Sequence, residues 1–192
     1  MITNSPSPSQ VHQQIRGTSP TPEEHDYILW TDGSGYDLGC GGSASILMEI
    51  ETGKKEFRLS AFSHTSTHRA EFEAFLNGLQ SIMDLNKWTT PDEKLKLDKR
   101  RIKPTVCWFG DCESLMLSSY VDEKTKEPVF RRRMNGDLWY RYSYYETAFT
   151  ITPIHIERNS MSEHALTDRL AGEGRLLLKE YLDCLKLDKT IQ

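Results

Sequence analysis

The stretch ILWTDGSG, residues 28–35, sets a single carboxylate, Asp32, at the end of an apolar run. Tyr27, Ile28, Leu29 and Trp30 read as a half-buried strand, and Gly33, Ser34 and Gly35 follow as a turn. Glycine lets the backbone turn sharply and lets a ligand come close. A carboxylate held beside bare backbone at a strand end suits a hard cation or a phosphate. A lone Asp-Gly pair ordinarily marks only a turn, so the reading depends on whether other carboxylates reach the same place.

The chain has 192 residues, enough for one domain with a sizeable core. It is 37% hydrophobic and 27% charged, an ordinary soluble profile, and its net charge of −4 advertises no global attraction for nucleic acid. Four cysteines (Cys40, Cys107, Cys112, Cys184) show neither metal spacing nor a disulfide framework and fit reduced thiols. With no membrane-length apolar stretch and no signal peptide, the expectation is a soluble intracellular protein, cytoplasmic or nuclear, most simply a monomer. Residues 1–26 hold four of the eight prolines and many Ser, Thr and Gln, and are expected to be a disordered tail. Residues 27–192 then form the domain, with a C-terminal helical extension.

Strands are expected near 27–30, 41–50, 55–63, 105–111 and 149–157. Helical spacing runs from Ser66 to Leu85 through Phe72, Phe75, Leu76, Leu79, Ile82 and Met83. Further helices are expected at 112–120, at 135–148 and from Met161, where Ser160-x-x-Glu163 has the capping-box form. Gly172 and Gly174 are expected to kink or end that last helix before an apolar stripe resumes at Leu176–Leu187. Three strands in succession can form an antiparallel meander, and later strands must cross over through helices. The fold class is therefore α/β, a mixed sheet flanked by helices.

Two glutamates compete on the first helix. Glu71 shares a face with Phe75, Gly78 and Ile82, whereas Glu73 lines up with Asn77, Gln80 and Asp84. Glu71 is thus expected beside the sheet and Glu73 in water. Asp111 ends the run Val106–Gly110, repeating the Asp32 arrangement. If those strands are parallel neighbours, both acids emerge at the edge where open α/β sheets bind ligands. Asp168 stacks with Ala165, Ala171 and Gly172, small residues that let its helix approach closely. Each acid alone fits a structural role. Clustered together, the four repel one another unless cations balance them, and Mg²⁺ is the natural choice.

On these residues the sequence resembles the type 1 ribonuclease H family over roughly residues 27–175. TDGSG at 31–35 resembles the family's first-strand motif, and THRAEFEA at 67–74 its first-helix motif. FGDCESL at 109–115 resembles the segment ending its fourth strand, and SEHALTDRLA at 162–171 its last-helix motif. NGDLW at 135–139 is a weaker echo of the helix opening in Asp-Leu-Trp. The resemblance implies an RNase H-like five-stranded sheet, three antiparallel strands followed by parallel ones. It implies a metal-dependent endoribonuclease that cleaves the RNA strand of RNA–DNA hybrids by two-metal-ion hydrolysis. Asp32, Glu71, Asp111 and Asp168 become the catalytic and metal-binding set for two Mg²⁺ ions, or Mn²⁺ in their place. Gly33, Ser34, Thr67 and His68 are then expected at the substrate, and Arg131, Arg132 and Arg133 at a basic protrusion some relatives carry. The loop at 157–162 lacks the His often found there in the family, and Cys112 replaces a polar residue after the third acid.

Half of the 24 basic residues fall in two stretches, 87–103 and 124–133, so a near-neutral total can conceal a phosphate-binding stripe. Trp88 and Trp139 are candidates to touch a nucleic-acid backbone, with core packing expected of Trp139. His155 alternates with Ile154 and Ile156 and is expected to face outward. His164, four residues before Asp168, is a candidate to tune that acid or join a proton relay. Two rivals to a ribonuclease H remain: a non-catalytic nucleic-acid- or protein-binding module on the same fold, or a nuclease of related chemistry acting on another nucleic acid.

Overall fold

The computed structural model describes residues 24–36, 39–88, 103–119 and 134–190. Most of the expected tail, nearly all of the first basic stretch and all of the second, including Arg131–Arg133, lie outside the described residues. The elements in chain order are β1 (Tyr27–Gly35), β2 (Gly39–Glu49), β3 (Lys55–Thr65), α1 (Thr67–Leu85), β4 (Thr105–Gly110), α2 (Glu113–Ser119), α3 (Gly136–Ala148), β5 (Thr150–His155) and α4 (Ser162–Thr190). Among the described residues no helix is long and apolar enough to cross a membrane.

The strands form one sheet in the order β3-β2-β1-β4-β5. β1 and β2, and β2 and β3, are antiparallel; β1 and β4, and β4 and β5, are parallel. This is the mixed sheet the sequence leads one to expect. Alternation along each strand divides the core in two. Leu29, Val106 and Trp108 face α1 and α3, where Phe75 stacks on Trp108 with ring centroids 3.6 Å apart. Ile28, Trp30, Cys107 and Phe109 face the other way, where Met161 and Leu166 pack against them. Trp139 belongs to the α1 side of the core, as expected, and Trp88 packs half-buried against the same cluster. Asp26 ties the start of β1 to β4: its carboxylate accepts from the Thr105 N–H at 2.8 Å.

Four expectations need correction. Glu73 does not face water. It is 9% exposed, because α3 crosses that side of α1 and brings Arg141 to it. Gly172 and Gly174 neither end nor break α4, which runs on to Thr190. A helical glycine costs about 1 kcal/mol relative to alanine, and the close seat of Ala171 on β2 holds this part of the helix in place. Glu163 forms no capping box with Ser160. It accepts from the Ser162 hydroxyl at 2.7 Å and pairs with Lys55 on β3 at 3.1 Å. His155 is half-buried rather than outward, with Nε2 3.2 Å from the Asp111 carbonyl oxygen.

Candidate metal centre

Trp30 pairs with Phe109 in the parallel register of β1 and β4, so Asp32 and Asp111 lie two residues further along each chain, at the carboxyl ends of neighbouring strands. Asp32 follows Ile28 and Trp30 in alternation and therefore points to the face covered by α4. Beyond β4, the Ile156 N–H donates to the Gly110 carbonyl at 3.0 Å, and His155 meets the Asp111 carbonyl. One main-chain and one side-chain contact from the end of β5 thus hold the segment that carries Asp111.

The helices reach this edge through two glycines. A Cβ on Gly33 would lie 2.1 Å from the Glu71 main-chain nitrogen and 2.3 Å from the Ala70 carbonyl carbon. Only a residue without a side chain lets α1 sit there. The Gly33 N–H in turn hydrogen-bonds the Glu71 carboxylate. What approaches the bare Cα of Gly33 is thus the main chain of α1 rather than a ligand. On the opposite face, a Cβ on Gly42 would lie 2.1 Å from the Ala171 carbonyl oxygen, and this close seat brings Asp168 and His164 over β1. The small residues around Asp168 serve this approach, as their spacing suggests.

The electrostatics follow from this crowding. Asp32 is 2% exposed and Glu71 7%. Burial first, then the Asp111 and Asp168 carboxylates, push the Asp32 carboxyl up to about 7. Burial first, then Asp32, also raises Glu71 well above the ordinary carboxylate range, against the lowering effect of the Gly33 N–H. Asp32 Oδ2 is buried with no hydrogen-bond partner. Arg158, in the loop before α4, forms an ion pair with Asp168. The half-buried Cys112 has its thiol raised, chiefly by burial.

The four acids expected from the sequence therefore converge. Asp32 is their centre, and Glu71, Asp111 and Asp168 all act on its ionisation. Of the expected substrate residues, Ser34 is half-buried at the end of β1, and Thr67 is exposed, its hydroxyl donating to the Gly35 carbonyl at 2.8 Å. His68 is half-buried, with Nδ1 3.1 Å from the Asn135 side-chain nitrogen. Nothing in the sequence marks Arg158, whose loop stands out only for lacking a His. The sequence relates His164 to Asp168 on the same helix, whereas the imidazole lies beside Asp111, with Nε2 3.9 Å from Oδ1. One oxygen each from Asp32 and Asp111 and one ring nitrogen of His164 lie within 4.8 Å of one another.

The residues fit a divalent cation. A buried carboxylate oxygen without a partner, surrounded by other carboxylates, is a donor set lacking its counter-charge.

The sheet order, the crossovers and the helices on both faces define a ribonuclease H-like fold. Particular solved structures share it. The chain is similar to an LC11 RNase H1, isolated from compost by a metagenomic approach and solved with an RNA/DNA hybrid (15% identity, 78% of this chain and 96% of that one, TM-score 0.53). It is similar to the N-terminal RNase H domain of Rv2228c from Mycobacterium tuberculosis (15%, 82% and 99%, TM-score 0.52). RNase H1 from the halophilic archaeon Halobacterium salinarum is comparable (17%, 77% and 96%, TM-score 0.51). No protein-family model matches the sequence, and no curated protein matches it. At such identities the likeness establishes the fold, and function must be argued from the site.

Proposed function

We propose that this chain is a divalent-cation-dependent endoribonuclease that cleaves the RNA strand of an RNA–DNA hybrid, with Asp32, Glu71, Asp111 and Asp168 as its catalytic and metal-holding residues. The observation that carries the reading is the buried, unpartnered Asp32 Oδ2 at the centre of three other carboxylates. A binding module has no use for so repulsive a cluster, whereas phosphodiester hydrolysis needs it. A pair of Mg²⁺ or Mn²⁺ ions held there supplies an activated water and counter-charge for the leaving 3′ oxygen.

The remaining work falls to the chain. Asp32 is held in the sheet by its pairing with Ala44 of β2, just past the end of the β1–β4 ladder, which presets its carboxylate. Glu71 is oriented by the Gly33 N–H, and Asp111 by the contacts from β5. Asp168, paired with Arg158 in the cation-free chain, would turn to the cations when they are held. We assign hybrid contacts to Ser34, Thr67 and His68 around this edge, and phosphate contacts to Arg131, Arg132 and Arg133. A hybrid is told from DNA by its 2′-hydroxyls and its groove shape. The LC11 enzyme, solved on an RNA/DNA hybrid, supports that choice of substrate.

The test is incubation of the full chain with end-labelled hybrid, duplex RNA and branched DNA, with and without Mg²⁺ or Mn²⁺. Cleavage confined to the hybrid's RNA strand and dependent on the cation supports the reading. Affinity for the hybrid without cleavage under any cation contradicts it, and preferential cleavage of another substrate redirects it to a related nuclease.

A further inference from the structure

His164 sits in the first turn of α4 and is fully buried. Neither ring nitrogen has a hydrogen-bond partner. A buried imidazole that serves packing alone ordinarily gives its N–H to a carbonyl or carboxylate. Its main chain is engaged, the carbonyl accepting from the Thr167 hydroxyl at 2.8 Å, but its ring is not. The ring lies instead against the acids. Nε2 is 3.9 Å from Asp111 Oδ1, too far for a hydrogen bond. The spacing suits two donors on one ion, because bonds of about 2.0–2.2 Å separate paired donors by roughly 3–4.3 Å. Asp32, whose Oδ2 is likewise without a partner, contributes a carboxylate oxygen to the same group of donors.

We propose that His164 is a nitrogen ligand to the cation held between Asp32 and Asp111, and that the centre therefore favours a first-row transition ion over Mg²⁺, with Mn²⁺ as the probe. The inference rests on the cation-dependent reading given above and names the class of ion that reading leaves open. Magnesium demands oxygen donors in near-ideal octahedral geometry and sheds water reluctantly. Imidazole suits transition ions rather than Mg²⁺, and Mn²⁺, which the carboxylates also suit, is the member of the series that reports its nitrogen ligands by EPR. The seat of Ala171 against Gly42 positions the ring, since it places the α4 face bearing both His164 and Asp168 over β1.

The experiment is pulsed EPR of the full chain loaded with Mn²⁺, together with calorimetric titration of Mn²⁺ and Mg²⁺. His164→Asn and His164→Gln are run beside the wild type, and circular dichroism checks that each is folded. The expected result is a directly coordinated ¹⁴N signal in the wild type that disappears in both variants. Mn²⁺ should bind the wild type about tenfold or more tighter than Mg²⁺, with most of that preference lost in the variants. Bound Mn²⁺ without ¹⁴N coupling, or with coupling that persists in both variants, overturns the His164 assignment and leaves the cation-dependent nuclease standing. If neither ion binds and no cleavage occurs, the nuclease reading falls and this inference falls with it.

Discussion

Arg141 Nη1 on α3 donates to Glu73 Oε2 on α1 across 2.8 Å. Two residues earlier on the same helix, Glu71 has no such cation and meets Asp32 instead. Neighbouring glutamates thus have opposite roles, one compensated within the fold and one left for a ligand. Glu73→Gln breaks a largely buried pair and is expected to cost about 1–3 kcal/mol of stability while leaving cation affinity unchanged. Glu71→Gln is expected to do the reverse, keeping or raising stability and abolishing cleavage. Chemical denaturation paired with cation titration separates the two, and a stability loss in Glu71→Gln as large as that in Glu73→Gln would contradict the division.

Gly33 carries the approach of α1 to the sheet. Gly33→Ala places a methyl where the Ala70–Glu71 main chain now lies. The helix must move outward, at an expected cost of about 2–4 kcal/mol. Because Glu71 moves with it, the variant that still folds should lose cleavage as well. Urea denaturation and hybrid cleavage measure the two effects, and wild-type stability with full activity would show that the helix sits elsewhere.

The cation-free protein should be less stable at neutral than at acid pH at this site. The Asp32 carboxyl stands at about 7 in the folded chain, above its unfolded value, so the folded state holds the proton more tightly. Its contribution is complete below about pH 4 and fades as pH rises through about 7. Asp32→Asn removes this dependence and is expected to stabilise the cation-free protein at pH 7.5 by roughly 1–3 kcal/mol, or about 3–10 °C in melting temperature. Melting curves in chelator from pH 4.5 to 7.5 test this. An Asp32→Asn protein less stable than wild type at pH 7.5 would contradict the picture of a repulsive acid cluster.

Arg158 pairs with Asp168 from a position that is 67% exposed. Exposed pairs contribute about 0–1 kcal/mol, so Arg158→Ala should barely alter stability. It removes a cation that competes for Asp168, and divalent-ion affinity without substrate is expected to rise several-fold. Calorimetric titration gives the answer, and weaker binding in the variant would mean that Arg158 supports the site rather than occupying it.

Much of this geometry is legible in the chain. Asp32 and Asp111 each close an apolar run; that the two runs are parallel neighbours is a condition the sequence leaves open and the β1–β4 pairing meets. Helical register distinguishes Glu71 from Glu73, but only relative to the sheet. It cannot show that α3, 68 residues further along in contact with Glu73, covers the other side. His164 reads as a neighbour of Asp168 because i, i+4 spacing is local information. Its place beside Asp111 depends on how α4 docks, and that depends on Gly42 of β2, far away in sequence. The helix-ending reading of Gly172 and Gly174 fails for the same reason, since local propensity gives way to tertiary packing. Local pattern locates the acids; long-range packing decides which of them are compensated.

The space around Asp32 is where a cation must lie if the four acids are a metal centre. Crystals of the full chain grown with Mn²⁺ and a hybrid, with data collected at the manganese absorption edge, address it directly. Anomalous density is expected between Asp32 and Asp111, within reach of Glu71 and Asp168. Anomalous density only elsewhere, or none beside Asp32 while hybrid is bound, would contradict it.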